Sequence, residues 1–385
     1  MSRTALRVLF LALEFPQWKE ARHVSYAAQL GMEEGLRELG VDCFTITTPW
    51  FSEARALCAG RRFDQVWIEV ARHDVLENPW LEWMASLAPV RLGLLAESLE
   101  YGSEETAIFP ELAARNDATR RRLRYVTHVA ACDEHDAANL KASRIPAMWW
   151  PQAVPLRYLR SCTAHLPGQK ALFAGAVYPP RNQWLELPML RERMTRLPGP
   201  IEGSQHAPLF DALHSIARLL LRVPRQGDDM LRRLYCHFVR TARGALGTLA
   251  LEEYLFLLRS LREHAFRKWI NAIGAGMAVV NLPHFVKTYS GRVVEGMAAG
   301  RPVISWRIPN RPLNEALFED QREILLFDPD RPESLVAQMD RLTREPNEAL
   351  RIAERAQQKV AAHHTVETRI RQILKWLETA EEPRF

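Results

Sequence analysis

Of 385 residues only five are cysteine (Cys43, Cys58, Cys132, Cys162 and Cys236), an odd number, widely spaced and never in a CxxC pair. That excludes a disulfide scaffold and a cysteine-based zinc site, and fits free thiols in a reducing, cytoplasmic compartment. No apolar run approaches the roughly 18 residues of a membrane-spanning helix. The first apolar run, Val8 to Leu13, ends at Glu14, too short and too quickly charged for a signal-peptide core. Charge of one sign is scarce as well: 51 Lys and Arg against 46 Asp and Glu leave +5, which provides no polycationic field for nucleic acid. There is no internal repeat or low-complexity segment, and no Asp-x-Asp cluster points to a catalytic cation.

What is present is ordinary globular material, 47% apolar and 25% charged, in a chain long enough for two domains. Arg7 to Leu13 reads as a continuously apolar, buried strand. Ser25 to Leu39 follows as an amphipathic helix stopped by Gly40. Short strands recur near Asp42 to Thr47, Gln65 to Val70, Arg91 to Ala96 and His128 to Ala131, with helix-like stretches between them. This alternation predicts an open parallel α/β sheet, whose ligands sit beyond the carboxyl ends of the strands. Glu14, His23, Glu69, Glu97, Asp133 and His135 stand on that rim.

A polar stretch, Gln152 to Lys170, precedes a second apolar strand, Ala171 to Ala174, and places a boundary near residue 165. The second unit continues with a helix after Arg181, a strand Met277 to Leu282, a helix Gly291 to Ala299, and strands Pro302 to Trp306 and Glu323 to Phe327. Helices Ala349 to Val360 and Val366 to Leu377 close the chain. Residues 208 to 270 are helix-like and long for a connection within a sheet, and read as a helical insertion. Asp211 to Lys268 holds eleven Lys and Arg against six acids, an excess as large as that of the whole chain. Three readings remain open for it: solvated faces of amphipathic helices, a peripheral membrane patch, and the least expected, nucleic acid.

The most informative segment runs from Thr288 to Ser305. Ser290 is a good N-cap, and Gly291 lets a ligand approach the backbone, so the amides of the first helical turn and the positive end of the helix dipole form an anion site. Glu295 lies within the first turns of the same helix, where its carboxylate can accept hydrogen bonds from vicinal hydroxyls such as those of a ribose. Together these features describe a nucleoside diphosphate.

Ser290 to Ile304, Leu313 to Phe327, and the closing His364-Thr365 and Arg369 resemble the nucleotide-sugar domain of GT-B glycosyltransferases, closest to the branch of spore-maturation, CgeB-like proteins. Leu172 to Arg181, Ala131 to Asp136 and Trp150 to Val154 resemble other parts of that branch. The resemblance implies two Rossmann-like doubly wound domains facing a cleft. Residues 1–165 would present the acceptor and 166–365 the nucleotide-sugar, with the helical insert at about 208–270; 366–385 would be a C-terminal helix that crosses back to the first domain. It further implies that Glu295 holds the donor ribose, that Ser290, Gly291 and Arg292 contact the phosphates, and that Gly175 and Arg181 flank the diphosphate from the other side. The implied reaction is transfer from a UDP- or GDP-linked sugar, with no cofactor and no metal, to a glycan, lipid-linked or protein acceptor. Two departures stand out. Where retaining members carry a second glutamate eight residues before the ribose glutamate, this chain has Lys287, able to neutralise phosphate or to lie at the surface. The N-terminal glycine-rich loop of many members is replaced by Glu14 to Lys19. Inversion needs a general base, and Glu97 and His23 are the candidates on the rim, Glu97 being more readily read as the structural partner of a nearby arginine. A nucleotide-sugar epimerase and a catalytically silent sugar-nucleotide scaffold are the alternative functions.

Overall fold

The protein is described from a computed structural model, which covers residues 5–11, 28–46, 51–70, 78–162, 170–175, 177, 179–197, 263 and 266–385. The first sheet contains β1 (Arg7–Leu11), β2 (Asp42–Ile46), β3 (Gln65–Glu69), β4 (Val90–Leu95), β5 (His128–Ala131) and β6 (Ala147–Trp149). All its pairings are parallel, in the order β2-β1-β3-β4-β5-β6. The second contains β7 (Ala171–Ala174), β8 (Met194–Leu197), β9 (Val279–Asn281), β10 (Val303–Trp306) and β11 (Leu325–Phe327), also all parallel, in the order β11-β10-β9-β7-β8.

The helices between and after these strands are α1 (Ala28–Glu38), α2 (Phe51–Cys58), α3 (Asn78–Leu87), α4 (Ser103–Ile108), α5 (Glu111–Arg122), α6 (Glu134–Ala142), α7 (Pro179–Glu186), α8 (Pro188–Arg191), α9 (Gly291–Ala298), α10 (Pro312–Glu315), α11 (Pro332–Arg344), α12 (Pro346–His363) and α13 (Val366–Thr379). Residues 266–273 are helical as well. Gly40, just beyond α1, takes a left-handed φ of 75°, as a C-terminal glycine stop requires.

The continuously apolar strands are explained by burial on both faces of the sheet. Val8 and Phe10 of β1 point to one side, into a core with Met32 and Leu36 of α1 and with Ile370, Ile373 and Trp376 of α13. Leu9 and Leu11 point to the other, into the core that also holds Leu81 and Met84 of α3. The last helix of the chain therefore packs on the first sheet. Arg369, fully buried on α13, donates from Nε to the Pro151 carbonyl at 3.0 Å and from Nη1 to Gln372 at 2.8 Å.

Two strands were not anticipated from sequence: β6, which pairs with β5, and β8, which pairs with β7. The basic insertion lies almost entirely outside the described residues, as does His23. Among the described residues no helix is long and apolar enough to cross a membrane.

In both sheets the first strand of the unit lies between its second and third, so the connections leave in opposite directions from that point. Such a switch opens a crevice beyond the strand ends, the usual ligand position in doubly wound sheets. In the second sheet it falls between β7 and β9, which end at Ala174 and Asn281.

Candidate functional site

Helix α9 starts at this switch point. Its N-cap Ser290 has the extended backbone of a cap (φ −70°, ψ 161°), but its side chain makes no capping bond. The hydroxyl instead donates to Asn281 Oδ1 at 2.9 Å and accepts from Arg292 Nη1 at 2.9 Å. No side chain caps the start of the helix, so the positive end of its dipole is open to an anion, while the Val293 amide is taken by the Ser290 carbonyl at 2.9 Å. Asn281 itself is fully buried and fixed by donating to Ser305 Oγ at 2.9 Å.

Three arginines converge on the end of β7. Arg292 donates from Nε to the Ala174 carbonyl. Arg196, which nothing in the sequence had singled out, donates from Nε to the Gly175 carbonyl at 3.4 Å. Arg181, on α7, is only 4% exposed and donates to the Pro283 carbonyl at 3.3 Å. The guanidinium carbons of Arg181 and Arg292 stand 5.3 and 6.0 Å from the centroid of one ring, Phe173. Gly175 makes room for this packing, since a Cβ there would meet Arg292 Nη2 at 2.9 Å.

His284 lies among these cations. Burial first, and then the charges of Arg181 and Arg292, hold its imidazole well below the usual histidine range, so it is neutral at physiological pH. Its Nδ1 accepts from the Val286 amide at 3.1 Å.

Glu295, one turn into α9, accepts at Oε2 from the Trp269 indole N–H at 2.9 Å. Desolvation raises its carboxyl above the ordinary range, opposed by the Trp269 hydrogen bond and by Arg292. Its Oε1 would come within 3.2 Å of a Cβ on Gly291 and has no hydrogen-bond donor among the described residues. Ser290, Gly291, Arg292, Glu295, Gly175 and Arg181 are thus gathered at one switch point.

Lys287 stands apart from this group. Its Nζ pairs with Glu105 of α4 in the first domain at 3.0 Å, and its amide donates to Ser98 Oγ at 3.4 Å. Glu97, just beyond the end of β4, is 5% exposed and accepts from Arg115 Nη1 at 2.5 Å, so the arginine-partner arrangement is the one seen.

The rim of the first domain adds contacts that sequence reasoning missed. Asp133 accepts from Arg311 Nε at 2.6 Å and Nη2 at 3.0 Å, both side chains being buried. Glu134 accepts from the amides of Leu313 and Asn314 at 3.2 and 2.6 Å. Phe285 packs on Tyr101 and Phe109, with ring centroids 5.8 and 5.3 Å apart. The two strand-end rims therefore face and touch each other. All these contacts pair residues far apart in the chain, and only the acid-rich run Asp133 to Asp136 signalled any of them in sequence.

Residues 253–375 match the family model described as glycosyl transferase-like. No curated protein matches the chain by sequence. Among solved structures, sucrose-phosphate synthase from Thermosynechococcus elongatus superposes with a TM-score of 0.58 at 13% identity, over 98% of this chain and 100% of that one. Alr3699/HepE from Anabaena, in complex with UDP-glucose, gives a TM-score of 0.52 at 12% identity, over 97% and 100%. The chain has the GT-B fold, two parallel α/β sheets with surrounding helices.

Proposed function

We propose that the protein transfers a sugar from a UDP- or GDP-linked donor to a glycan, lipid-linked or protein acceptor. The observation that carries the reading is the convergence, at the switch point of the second sheet, of an uncapped helix N-terminus, Arg292 and the buried Arg181. A site of that composition favours a diphosphate, and Glu295 on the same helix is suited to the ribose. The HepE complex, which holds UDP-glucose, favours uridine over guanosine. The likeness of Ser290 to Phe327 to CgeB-like proteins favours that branch.

Breaking the bond between the anomeric carbon and the diphosphate leaves negative charge on the leaving oxygen. Amides of the first turn of α9, Arg292 and Arg181 supply preorganised positive charge there. Neutral His284 can donate a hydrogen bond without competing for the diphosphate as a cation. On the facing rim, Glu97 is buried and tied to Arg115, so it is read as a structural carboxylate and not as the base that takes the acceptor proton.

Slow donor hydrolysis, with water as acceptor, tests the reading without knowledge of the natural acceptor. Purified protein incubated with UDP-glucose, UDP-N-acetylglucosamine and GDP-mannose is expected to release one free nucleoside diphosphate, and Arg292→Ala to lower that release by about 10²-fold. Release that is equal in Arg292→Ala would contradict the assignment.

A further inference from the structure

We infer that Asn314 is a positioning residue through which the first domain sets the donor loop, an assignment that rests on the donor-site reading above. Asn314 is 1% exposed, on the short helix α10. Its Oδ1 accepts from the Tyr289 amide at 2.9 Å and from the Thr288 hydroxyl at 3.2 Å. These two residues lead directly into Ser290 and the open end of α9. Because the oxygen must face those donors, the amide orientation is fixed, and the Nδ2 group is left buried with no partner among the described residues.

The backbone of the same residue is held from the other domain. Glu134 accepts the Asn314 amide at 2.6 Å and the Leu313 amide at 3.2 Å, while Asp133, its chain neighbour, grips Arg311 with both carboxylate oxygens. Asp133 also accepts from Ser98 Oγ at 2.9 Å, and Ser98 in turn accepts the Lys287 amide at 3.4 Å. Two routes thus run from the Asp133-Glu134 pair to residues 287–289. One passes through Asn314 and the other through Ser98, and both end at the backbone that aims the phosphate-binding helix.

The consequence is reciprocal. If docking of the first domain orders residues 287–290, a nucleoside diphosphate bound on α9 must in turn favour the docked arrangement. Glu134 lies on the far side of Asn314 from the donor site, yet it should tune donor affinity.

The test uses Glu134→Gln, Asn314→Leu, the double variant and Asn314→Asp, all in the full chain. The readouts are amide hydrogen exchange across 287–292 without ligand, and calorimetric titration with UDP and GDP. Glu134→Gln is expected to speed exchange at 289–292 by about tenfold, and to weaken the nucleotide that binds by about five- to tenfold. Asn314→Leu should match it, with the double variant little worse than either single one. Asn314→Asp, which keeps an oxygen facing Tyr289 and Thr288, should recover wild-type exchange while Asn314→Leu does not; a merely space-filling role would leave Asn314→Leu, of similar volume, as slow to exchange as wild type.

Unchanged exchange at 289–292 in Glu134→Gln, or full additivity in the double variant, would overturn the relay whatever binds. Accelerated exchange in a protein whose wild type binds neither nucleotide would uphold the structural relay and overturn the donor-site reading instead.

Discussion

Asp136 shows what burial does to a single group on this rim. It is 2% exposed, its Oδ2 accepts the Leu99 amide at 2.7 Å, and burial followed by the neighbouring charge of Asp133 pushes its carboxyl up to about 7. Glu100 raises it further, while the Leu99 amide and Arg311 oppose the rise. The folded protein therefore holds a proton that the unfolded chain releases near pH 4, and stability falls as pH rises through that window, then levels above about pH 7. Asp136→Asn keeps an oxygen for Leu99 and has no proton to lose. Relative to wild type, its unfolding free energy by urea denaturation should gain up to about 4 kcal/mol between about pH 4 and pH 8. A constant difference across that range would contradict this.

At the residue scale, legibility follows distance along the chain. Ser290, Gly291, Arg292 and Glu295 share one helix start, so their spacing alone brings them together. Arg311 meets Asp133 across 178 positions, and Asn314 meets Glu134 across 180, separations at which no periodicity speaks. Lys287 illustrates the same limit: sequence offered phosphate or surface, and the structure supplies Glu105 from the other domain.

The elements obey the same physics. Buried parallel strands announce themselves as unbroken apolar runs, which is why β1, β3, β5, β7 and β10 are legible to within a residue or two at the ends described. The short strand β8, Met-Thr-Arg-Leu, lies at an edge and β6 is only three residues long, so neither has enough pattern to stand out. Gly296 is the most exacting position in α9. A Cβ there would lie 2.9 Å from Val279 Cγ2 and 3.0 Å from Val303 Cγ2, on two buried strands that cannot yield. Gly296→Ala gains helix propensity of up to about 1 kcal/mol. The forced separation of α9 from the sheet outweighs it. We expect a net loss of about 1–3 kcal/mol in thermal or urea unfolding, together with weaker nucleotide binding as α9 shifts. A stabilised variant with undiminished binding would show that α9 does not rest on the sheet this closely.

On the scale of the whole molecule, the chain ends where it began. Helix α13 buries Val366, Ile370, Ile373 and Trp376 against the sheet that opens the sequence. Full burial of such side chains contributes roughly 1.5–3 kcal/mol each. Their sum rivals the roughly 5–15 kcal/mol by which a domain is stable. Truncation after Thr365 should therefore abolish cooperative unfolding of the first domain; a truncated chain that keeps the wild-type Tm would refute this packing.

The two rims are held together by Arg311 on Asp133, by Glu134 on the amides of Leu313 and Asn314, and by Lys287 on Glu105. The donor site is tested most directly by calorimetric titration of UDP and GDP into wild type and Glu295→Gln, both first shown to be folded. Wild type is expected to bind one nucleotide saturably at 1:1, and Glu295→Gln to bind it about tenfold or more weakly, because an N–H₂ donor replaces one of the two carboxyl oxygens offered to the ribose. Binding of neither nucleotide, or equal binding by both proteins, would refute a nucleotide site built on α9.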